Sequence, residues 1–449
     1  MLIPNQHLTC SIKGLGYQGE GICRLDGQVI FIPFTLPGEL VEIQIEKNNK
    51  SHATAKLISV IEPSADRVTP PCPVFARCGG CASQHMTYIQ QLEYKQQAIQ
   101  DNLQRIAKIP LKTEPVRGME IPWHYRNKTT WQAALVGGKI QAGFFVSQSR
   151  QLVPVLQCCI ANDHSNGAKD AVIAWMTEFG IQPFHDQSKS GVIRQIITRA
   201  NEAGETMVIL SINGERIPHQ DKLIQHLNAV LPKLVSVCST NQLNTDESTD
   251  DGTYSITYGD RTLKETIDGV RFSLSPLSFF QVNHSICREM YRYVVQQAII
   301  DKSDTVIDLY SGVGSISLLA AKSCRQVIGL ELSSGAVEDA RKNALDNQIF
   351  NVHFIQGYAE HELPKLILSG LRADAIILDP PRKGAHPNVL KAIIQVQPER
   401  IVYISCHPGS QARDAAILAK AKYQAVESQP FDMFCQTSEI ENVLTFVRS

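Results

Sequence analysis

The sequence has no apolar run long enough to span a bilayer, and its first residues do not combine a basic segment with a hydrophobic stretch. It also has almost no net charge, with 43 lysines and arginines against 44 acidic residues. The first two absences argue against a membrane or exported protein, and the third excludes a global attraction to nucleic acid. We therefore expect a cytoplasmic protein in which only local patches could bind RNA.

The composition is typical of a folded protein with more than one domain. Hydrophobic residues make up 43% and charged residues 19% of a chain that, at 449 residues, exceeds one ordinary core. Twelve cysteines in a reducing compartment do not indicate a disulfide framework. Clustered cysteines would therefore indicate a metal site or catalysis.

The pattern of hydrophobic residues divides the chain into regions. Residues 1–62 are short β-runs between glycine turns, which predicts a small barrel, and the proline-rich segment 63–73 marks its boundary. A helical pattern covers residues 86–107, and a mixture of strands and helix covers 121–275. From residue 300 onward apolar strands alternate with helices, which predicts a parallel sheet covered by helices.

Basic and aromatic residues alternate between positions 112 and 150. Such residues suit phosphates and unstacked bases, but a solvated strand face with tryptophans in the core gives the same pattern. The sequence alone leaves both interpretations open. The residues are Lys112, Arg117, Trp123, Tyr125, Arg126, Lys128, Trp131, Lys139 and Arg150.

A group of polar and glycine residues stands at the ends of predicted strands. Gly312 and Gly314 follow an apolar strand, and Glu331 ends the next strand, where an acid can bind both hydroxyls of a ribose. Residues 318–319 are leucines where a pyrophosphate-binding turn needs a small residue, which favours S-adenosylmethionine over a dinucleotide. Residues 379–382, Asp-Pro-Pro-Arg, either add an acid to the same edge or form a turn only.

Cys406 follows the apolar strand IVYIS, at the end where a parallel sheet presents its reactive groups. Carbon 5 of uracil becomes nucleophilic only after a group adds to carbon 6, and a thiolate is suited to this addition. A lone cysteine is more often a small core residue, but the neighbouring cofactor residues favour a nucleophile. Glu441 is the candidate base for the proton on carbon 5, with Glu439 on the same face if both lie in one strand.

Three cysteines, Cys72, Cys78 and Cys81, lie within ten residues of one another. This spacing predicts a metal site, and the number of thiols fits zinc as well as an iron–sulfur cluster. Cys158 or Cys159 would supply the fourth ligand, because neighbours on an extended segment point in opposite directions.

Together these motifs resemble the RNA (uracil-5-)-methyltransferase family over nearly the whole chain. The resemblance implies an α/β fold with a Rossmann-like class I methyltransferase domain at residues 86–117 and 278–449. It implies an N-terminal OB-like β-barrel, the TRAM domain that binds RNA, at residues 1–62. A small α+β central domain carrying a metal cluster would occupy residues 63–85 and 118–277.

The resemblance also assigns roles to single residues. It makes Cys406, in the motif at residues 405–408, the nucleophile, and it favours Glu441 over Glu439 as the base. The family positions that bind S-adenosylmethionine fall on Gln281, within the Phe-Phe-Gln-Val-Asn motif, and on Tyr310, Ser315, Glu331 and Asp379. The ligands of a [4Fe–4S] cluster fall on Cys72, Cys78, Cys81 and Cys158.

The most similar branch is the 23S ribosomal RNA enzyme with a target of the uridine 1939 type, which implies 23S ribosomal RNA as the partner of a monomer. The sequence departs from the family pattern in three places, one of which is a pair of residues. His407 replaces an Asn or Asp, Ser438 and Glu439 replace a commoner pair of histidines, and Tyr358 stands where an Asp or Asn is often near adenine. His407 either lowers the pKa of the thiol as an imidazolium or is a bystander.

Three other functions fit parts of the pattern. A transfer RNA uridine-54 methyltransferase would use the same chemistry, although its bacterial branch typically lacks both the barrel and the cluster. An exocyclic-amine methyltransferase would use Asp379 and its prolines but neither Cys406 nor Glu441. A non-catalytic RNA-binding factor would keep the cofactor fold and transfer no methyl group.

Overall fold

A computed structural model describes residues 2–25, 27–147, 149–241 and 253–449. Within these ranges the strands form three large sheets and one two-stranded hairpin. No helix in the described ranges is long and apolar enough to cross a membrane.

The N-terminal sheet has six strands in the order β1-β5-β6-β4-β3-β2. The strands are β1 (His7–Ser11), β2 (Gly14–Leu15), β3 (Gly21–Leu25), β4 (Gln28–Ile32), β5 (Leu40–Asn48) and β6 (His52–Glu62). In β5 the apolar residues Val41, Ile43 and Ile45 alternate with polar ones and are fully buried, as one-sided burial of a strand requires. Because β1 also contacts β3, the sheet curls around this core.

One long helix connects the N-terminal sheet to the rest of the molecule. It is α1 (Tyr88–Asn102), which continues as a π-helical turn over Leu103–Ala107 and ends at Lys108 in the left-handed conformation, with φ of 59°. Ile99 and Leu103 pack into the core of the C-terminal sheet. The helical pattern predicted over residues 86–107 is confirmed.

The middle sheet has seven strands in the order β13-β12-β11-β10-β7-β8-β9 and is covered by two helices. Its elements are β7 (Lys128–Val136), β8 (Lys139–Phe145), β9 (Leu152–Pro154), α2 (Asp163–Glu178), β10 (Ile193–Ala200), β11 (Thr206–Ile212), α3 (Gln220–Val230), β12 (Leu234–Thr240) and β13 (Tyr254–Gly259). The indoles of Trp131 and Trp175 are fully buried in its core.

The structure favours the core interpretation of the basic and aromatic segment. Trp131 stacks on Phe144 inside the middle sheet, with ring centroids 4.8 Å apart. Arg117 pairs with Glu289 at 3.2 Å, and Arg150 pairs with Asp186. These aromatic rings and cations are therefore already engaged within the protein.

The C-terminal sheet has seven strands in the order β18-β17-β16-β19-β20-β22-β21. After the hairpin β14 (Leu263–Ile267) and β15 (Val270–Leu274) come α4 (His284–Ala298), β16 (Thr305–Leu309), α5 (Ser315–Ala321), β17 (Gln326–Glu331), α6 (Ser334–Asp346), β18 (Val352–Gln356), α7 (Ala359–Leu368), β19 (Ala375–Leu378), α8 (Pro387–Val396), β20 (Arg400–Ser405), α9 (Pro408–Lys420), β21 (Tyr423–Phe431) and β22 (Glu441–Arg448). Strands β16 to β20 are parallel, whereas β22 runs antiparallel to both of its neighbours.

The hairpin β14–β15 packs with the C-terminal sheet. Ile267, Phe272 and Leu274 lie in the same core as α4 and α5. We therefore propose a domain boundary between β13 and β14, earlier than residue 277. The range 118–277 assigned to the central domain also contains Gln148 and residues 242–252, which lie outside the described residues.

Candidate active site

The carboxyl ends of four neighbouring strands meet at one edge of the C-terminal sheet. Strand β16 lies between β17 and β19, and β20 lies next to β19. Glu331 ends β17, while Asp379 and Cys406 directly follow β19 and β20. The parallel arrangement therefore brings these three predicted site residues to the same edge, where open α/β sheets bind their ligands.

Cys406 and Glu441 lie opposite each other across two paired strands. Ser405 of β20 pairs with Asn442 of β22, so the next position on each side holds the thiol and the carboxyl group. The side chain of Glu441 is buried, and its Oε2 atom has no hydrogen-bond partner in the described structure. An unpaired buried carboxyl oxygen is costly, which is typical of a group kept for a reaction.

The prediction that Glu439 shares a face with Glu441 is wrong. Glu439 lies in the non-strand segment 432–440, before β22 begins at Glu441, so the alternation of a strand does not extend to Glu439. Its carboxylate instead accepts a hydrogen bond of 2.9 Å from the Arg382 guanidinium. Of the two carboxyl groups, only that of Glu441 is buried opposite Cys406.

The site is crowded with acidic groups. Burial raises the pKa of the Cys406 thiol, and the charges of Glu441 and Asp379 raise it further, while Arg382 lowers it. Burial, followed by the charge of Asp379, holds the pKa of Glu441 well above its usual range. Burial also raises the pKa of Asp379 to about 7. The site therefore favours a positively charged ligand, which would stabilise the ionised forms.

The turn after β16 is shaped to receive a ligand. Two backbone N–H groups fix the side chain of Glu331. The Gly312 N–H donates a hydrogen bond of 2.9 Å to its Oε2 atom, and the Ser333 N–H donates one of 2.9 Å to its Oε1 atom. A Cβ atom at Gly314, where φ is 81°, would lie 2.7 Å from the Phe354 ring. A Cβ at Gly312 would meet nothing within 4 Å, so the backbone there is open to a ligand.

The other predicted cofactor residues lie around this turn. Tyr310 precedes it with a positive φ of 66°, and Ser315 is the buried first residue of α5. Gln281 is buried, and its backbone carbonyl accepts a hydrogen bond of 2.9 Å from Asn127. It lies just before α4, a helix that contacts β19, β20 and β22.

Two residues at the rim of the site, Tyr17 and Arg382, were not assigned a role from the sequence. Tyr17 comes from the loop between β2 and β3, and its ring lies 5.2 Å from that of His407, next to the thiol. Arg382 supplies a positive charge that lowers the pKa of the Cys406 thiol. The sequence marks Tyr17 only by its place in the glycine-rich segment 14–21. His407, which its ring contacts, lies almost 400 residues further along the chain.

His407 caps the helix that follows Cys406. Its Nδ1 atom accepts a hydrogen bond of 3.1 Å from the Ser410 N–H, as an Asn or Asp side chain would at a helix N-terminus. Burial and the charge of Arg382 lower its pKa, so the ring is neutral at pH 7. The structure therefore does not support an imidazolium that activates the thiol.

The cysteines predicted to bind a metal line one cavity of about 60 Å³, which lies between the segment of residues 72–84 and the middle sheet. Burial raises the pKa of Cys81 to about 12 and also raises that of Cys78 and Cys158. Within the described ranges, no three His, Cys, Asp or Glu side chains are grouped to hold one metal ion, and no cysteine forms a disulfide. Both Cys158 and Cys159 line the cavity, because this segment is not a strand.

Comparison with known proteins agrees with this geometry. The family profile described as tRNA (Uracil-5-)-methyltransferase matches residues 257–448, and that of the TRAM domain matches residues 4–58. The chain is 37% identical over 444 residues to a protein of Listeria monocytogenes named "Uncharacterized RNA methyltransferase", covering 99% of this chain and 98% of that protein. A protein of Caldanaerobacter subterraneus with the same description is 40% identical and covers 96% of each chain.

Among solved structures, the chain resembles the tRNA (uracil-54, C5)-methyltransferase of Pyrococcus abyssi in complex with S-adenosyl-L-homocysteine. The two are 25% identical with a TM-score of 0.77, and the match covers 98% of this chain and 100% of that chain. The N-terminal sheet, the C-terminal sheet and the sequence matches lead to the same assignment. The chain belongs to the S-adenosylmethionine-dependent RNA (uracil-5-)-methyltransferase family and carries a TRAM domain.

Proposed function

We propose that this chain methylates carbon 5 of a uridine in 23S ribosomal RNA, with Cys406 as the nucleophile and Glu441 as the base. The observation that carries the proposal is the position of the two residues, which lie opposite each other directly beyond the Ser405–Asn442 pair of β20 and β22. A thiol and a buried, unpaired carboxyl group at the ligand-binding edge of the sheet fit covalent activation of a pyrimidine.

In the first step, the thiolate sulfur of Cys406 forms a bond to carbon 6 of the uracil. The electrons of the double bond between carbons 5 and 6 move toward the carbonyl oxygen at carbon 4. Carbon 5 of this enolate would then form a bond to the methyl carbon of the bound cofactor as the bond from that carbon to the sulfonium sulfur breaks, which would leave a neutral thioether. The Arg382 guanidinium supports this step, because it lowers the pKa of the thiol against the effect of burial.

In the second step, Glu441 accepts the proton from carbon 5. The double bond forms again, and the bond between sulfur and carbon 6 breaks, which returns Cys406 as a thiolate. Because Oε2 of Glu441 has no hydrogen-bond partner in the described structure, it can take this proton without losing an existing bond. Its raised pKa also makes the ionised group a stronger base than an ordinary carboxylate.

The residues at the edge of the sheet fit S-adenosylmethionine. Glu331 would bind the ribose, and Gln281, Tyr310, Ser315 and Asp379 would complete the site. When bound, this cofactor supplies an electrophilic methyl group and a positive sulfonium charge. The acidic surroundings of Cys406 fit such a cation. Burial disfavours the ionised form of Asp379, and burial together with the nearby acidic charges disfavours the Cys406 thiolate, so a positive charge bound here would stabilise both ionised groups.

The cysteine cavity fits a [4Fe–4S] cluster held by Cys72, Cys78, Cys81 and Cys158. Its lining offers soft thiol donors among apolar side chains, and each thiol of such a cluster binds a different iron, so the four need not converge on one ion. Cys158 is favoured over Cys159, because its charge raises the pKa of both Cys78 and Cys81. The cluster would hold the loop of residues 72–85 in place and would take no part in methyl transfer.

Covalent trapping tests the chemistry. In RNA that carries 5-fluorouridine, the fluorine on carbon 5 cannot be removed as a proton, so a methylated adduct persists and migrates slowly in a denaturing gel. We expect this adduct with the wild-type chain and with Cys324→Ala, whose thiol lies at the opposite edge of the same sheet, but not with Cys406→Ala. A Cys406→Ala variant that still methylates RNA, or a wild type that forms no adduct, would contradict the proposal.

The identity of the RNA is tested separately. Methylated uridines are mapped in 23S ribosomal RNA and transfer RNA from cells that lack this chain and from cells that regain it. We expect the loss of a 5-methyluridine in 23S ribosomal RNA, at a position of the uridine 1939 type. Loss at uridine 54 of transfer RNA would instead support the activity named for the Pyrococcus abyssi structure.

A further inference from the structure

We infer that Tyr17, on the loop between β2 and β3 of the N-terminal sheet, contacts the target nucleotide and forms part of the pocket that receives it. This inference rests on the proposed function. It makes the N-terminal sheet a part of the catalytic pocket as well as a surface that holds RNA from outside.

The loop that carries Tyr17 is held in a fixed position. The Gly16 N–H donates a hydrogen bond of 2.7 Å to the Glu20 carbonyl, which closes the loop. The buried hydroxyl group of Tyr94, on α1, lies 2.7 Å from the Gly16 carbonyl and 2.8 Å from the Tyr17 carbonyl, and its single hydrogen is shared between these two acceptors. The helix that leads into the C-terminal core therefore anchors this loop of the N-terminal sheet.

The other side of the loop faces the catalytic edge. A Cβ atom at Gly19, where φ is 84°, would lie 4.0 Å from the Cβ of Ser438, next to Glu439. The Tyr17 ring packs at an angle of 57° against His407, the residue after the nucleophile. A side chain in this place stands within contact range of the loop that carries Cys406.

Tyr17 has an exposed face beside the charged groups of the site. Its side chain keeps 39% of its surface accessible, although its neighbours include Arg382 and Glu439. Burial, followed by the charge of Glu439, raises the pKa of Tyr17 to about 12, so its hydroxyl group is neutral and can donate a hydrogen bond. Arg382 lowers this pKa and the Cys406 thiolate raises it, which also indicates that all these groups lie close together.

The proposed reaction requires a surface of this kind. An enzyme that acts on carbon 5 of a uridine in folded RNA must extrude the base, and extruded bases are held between aromatic side chains and by hydrogen bonds. Apart from the neutral His407 ring, Tyr17 is the aromatic side chain that the described contacts place against the loop of the nucleophile. A face of the ring is therefore available to the base or to its ribose.

The alternative is that Tyr17 only fastens the N-terminal sheet to the C-terminal sheet. A fastening role predicts that its loss lowers the unfolding temperature and affects every activity equally. A contact with the nucleotide predicts that its loss raises the KM for RNA and slows the first covalent step, with the cofactor affinity and the unfolding temperature unchanged. Tyr17→Phe separates the ring from its hydroxyl group, since it keeps the stacking surface.

The test measures the rate of adduct formation with 5-fluorouridine RNA in the full chain. We expect a fall of roughly 10- to 100-fold for Tyr17→Ala, as for the loss of one base–aromatic contact, and less than about 5-fold for Tyr17→Phe. Tyr258→Ala, which removes an equally exposed tyrosine of β13, is the matched control and should react as the wild type does. Cofactor affinity by calorimetry and the unfolding temperature are measured for each variant, and Tyr17→Leu replaces Tyr17→Ala if the latter does not fold.

A second measurement does not depend on RNA. Alkylation of Cys406 by iodoacetamide, followed by mass spectrometry of its peptide, should be faster in Tyr17→Ala, because the ring beside the thiol is gone. Adduct formation by Tyr17→Ala at the wild-type rate would overturn the role of Tyr17 and leave the proposed function intact. No adduct with the wild type would overturn both.

Discussion

Glu441 and Glu439 are two positions apart, but their carboxyl groups have different surroundings. Glu441 is buried opposite the thiol, whereas Glu439 pairs with Arg382 near the surface. We expect Glu441→Gln to form the methylated adduct but to release it slowly, because the glutamine amide cannot accept the proton of carbon 5. Turnover should fall by at least ~100-fold, the usual effect of losing a general base.

The measurement follows labelled methyl groups into ordinary uridine RNA on a denaturing gel. In Glu441→Gln the label should accumulate in a protein–RNA complex, and in Glu439→Gln it should appear in free RNA, with turnover within about 10-fold of the wild type. A Glu441→Gln variant that releases methylated RNA at the normal rate would mean that another group removes the proton.

We expect Asp379 to make cofactor binding depend on pH. Burial raises its pKa to about 7 from an ordinary value of 3.8, so the group is protonated below neutral pH and ionised above it. Because the cofactor is a cation, it binds the ionised form better, and its affinity should rise between about pH 6 and pH 8 with release of a proton. Calorimetry in two buffers of different ionisation enthalpy measures both effects.

Asp379→Asn is the matched variant for this pH dependence. It keeps the shape of the side chain but cannot ionise, so it should bind the cofactor weakly and with an almost flat pH profile. An affinity that falls as the pH rises, or a profile that survives in Asp379→Asn, would show that a different group controls binding.

At the residue scale, the sequence predicted the groups that follow strands and missed the groups that arrive from elsewhere. Cys406, Asp379 and Glu331 could be predicted because the ends of parallel strands meet at one edge. Glu439 could not be separated from Glu441, since nothing local shows that the strand begins only at Glu441. Tyr17 could not be predicted at all, because only tertiary structure brings its loop to His407.

At the scale of elements, α1 is tied to the segment between β21 and β22 by a buried ion pair. The Lys95 ammonium group lies 2.5 Å from the Asp432 carboxylate, and both side chains are almost fully buried. Tyr88 also donates a hydrogen bond of 2.7 Å to this carboxylate. The pair therefore fixes α1, and with it the loop of Tyr17, relative to the strand that begins at Glu441.

We expect Lys95→Ala to lower the free energy of unfolding by ~3–5 kcal/mol, because it leaves the Asp432 charge buried without its partner. Urea denaturation measures this loss. Lys95→Met combined with Asp432→Asn should lose less, since it removes both charges. Arg105→Ala, which breaks the exposed pair with Asp101, is the control and should change stability by no more than ~1 kcal/mol.

The spacing of hydrophobic residues in the sequence could predict some of the strands and helices but not others. Strands β16, β19 and β20 are buried on both faces, and the apolar strands after residue 300 alternate with helices, so β16 to β20 were predictable as a parallel sheet. The antiparallel direction of β21 and β22 was not predictable. Their buried residues form continuous runs, and such runs look the same in parallel and antiparallel strands. The π-helical end of α1 likewise has no distinct signal in the sequence.

At the scale of the whole molecule, the cysteine loop, residues 72–85, connects all three sheets. The Gly79 N–H donates a hydrogen bond of 3.0 Å to the Phe145 carbonyl of the middle sheet, and the Ala82 N–H donates one of 3.0 Å to the Gln436 carbonyl. The Val68 N–H donates to the His85 carbonyl, beside the ion pair of Arg67 with Glu39 in the N-terminal sheet. Gln436 belongs to the turn that places Glu439 and Glu441.

This connection predicts how loss of the proposed cluster would act on the enzyme. We expect Cys81→Ala to lose the broad visible absorption of an iron–sulfur protein, to unfold at a lower temperature and to methylate RNA more slowly, because the loop no longer holds the turn at Gln436. Cofactor affinity should stay within about 3-fold of the wild type, since most of the residues that would bind it lie at the carboxyl edge of the C-terminal sheet, whose core does not include the cysteine loop. Cys159→Ser is the matched control and should keep the absorption, whereas Cys158→Ser should lose it. A colourless wild type that contains zinc, or a Cys81→Ala variant with unchanged stability and activity, would show that the loop is held without a cluster.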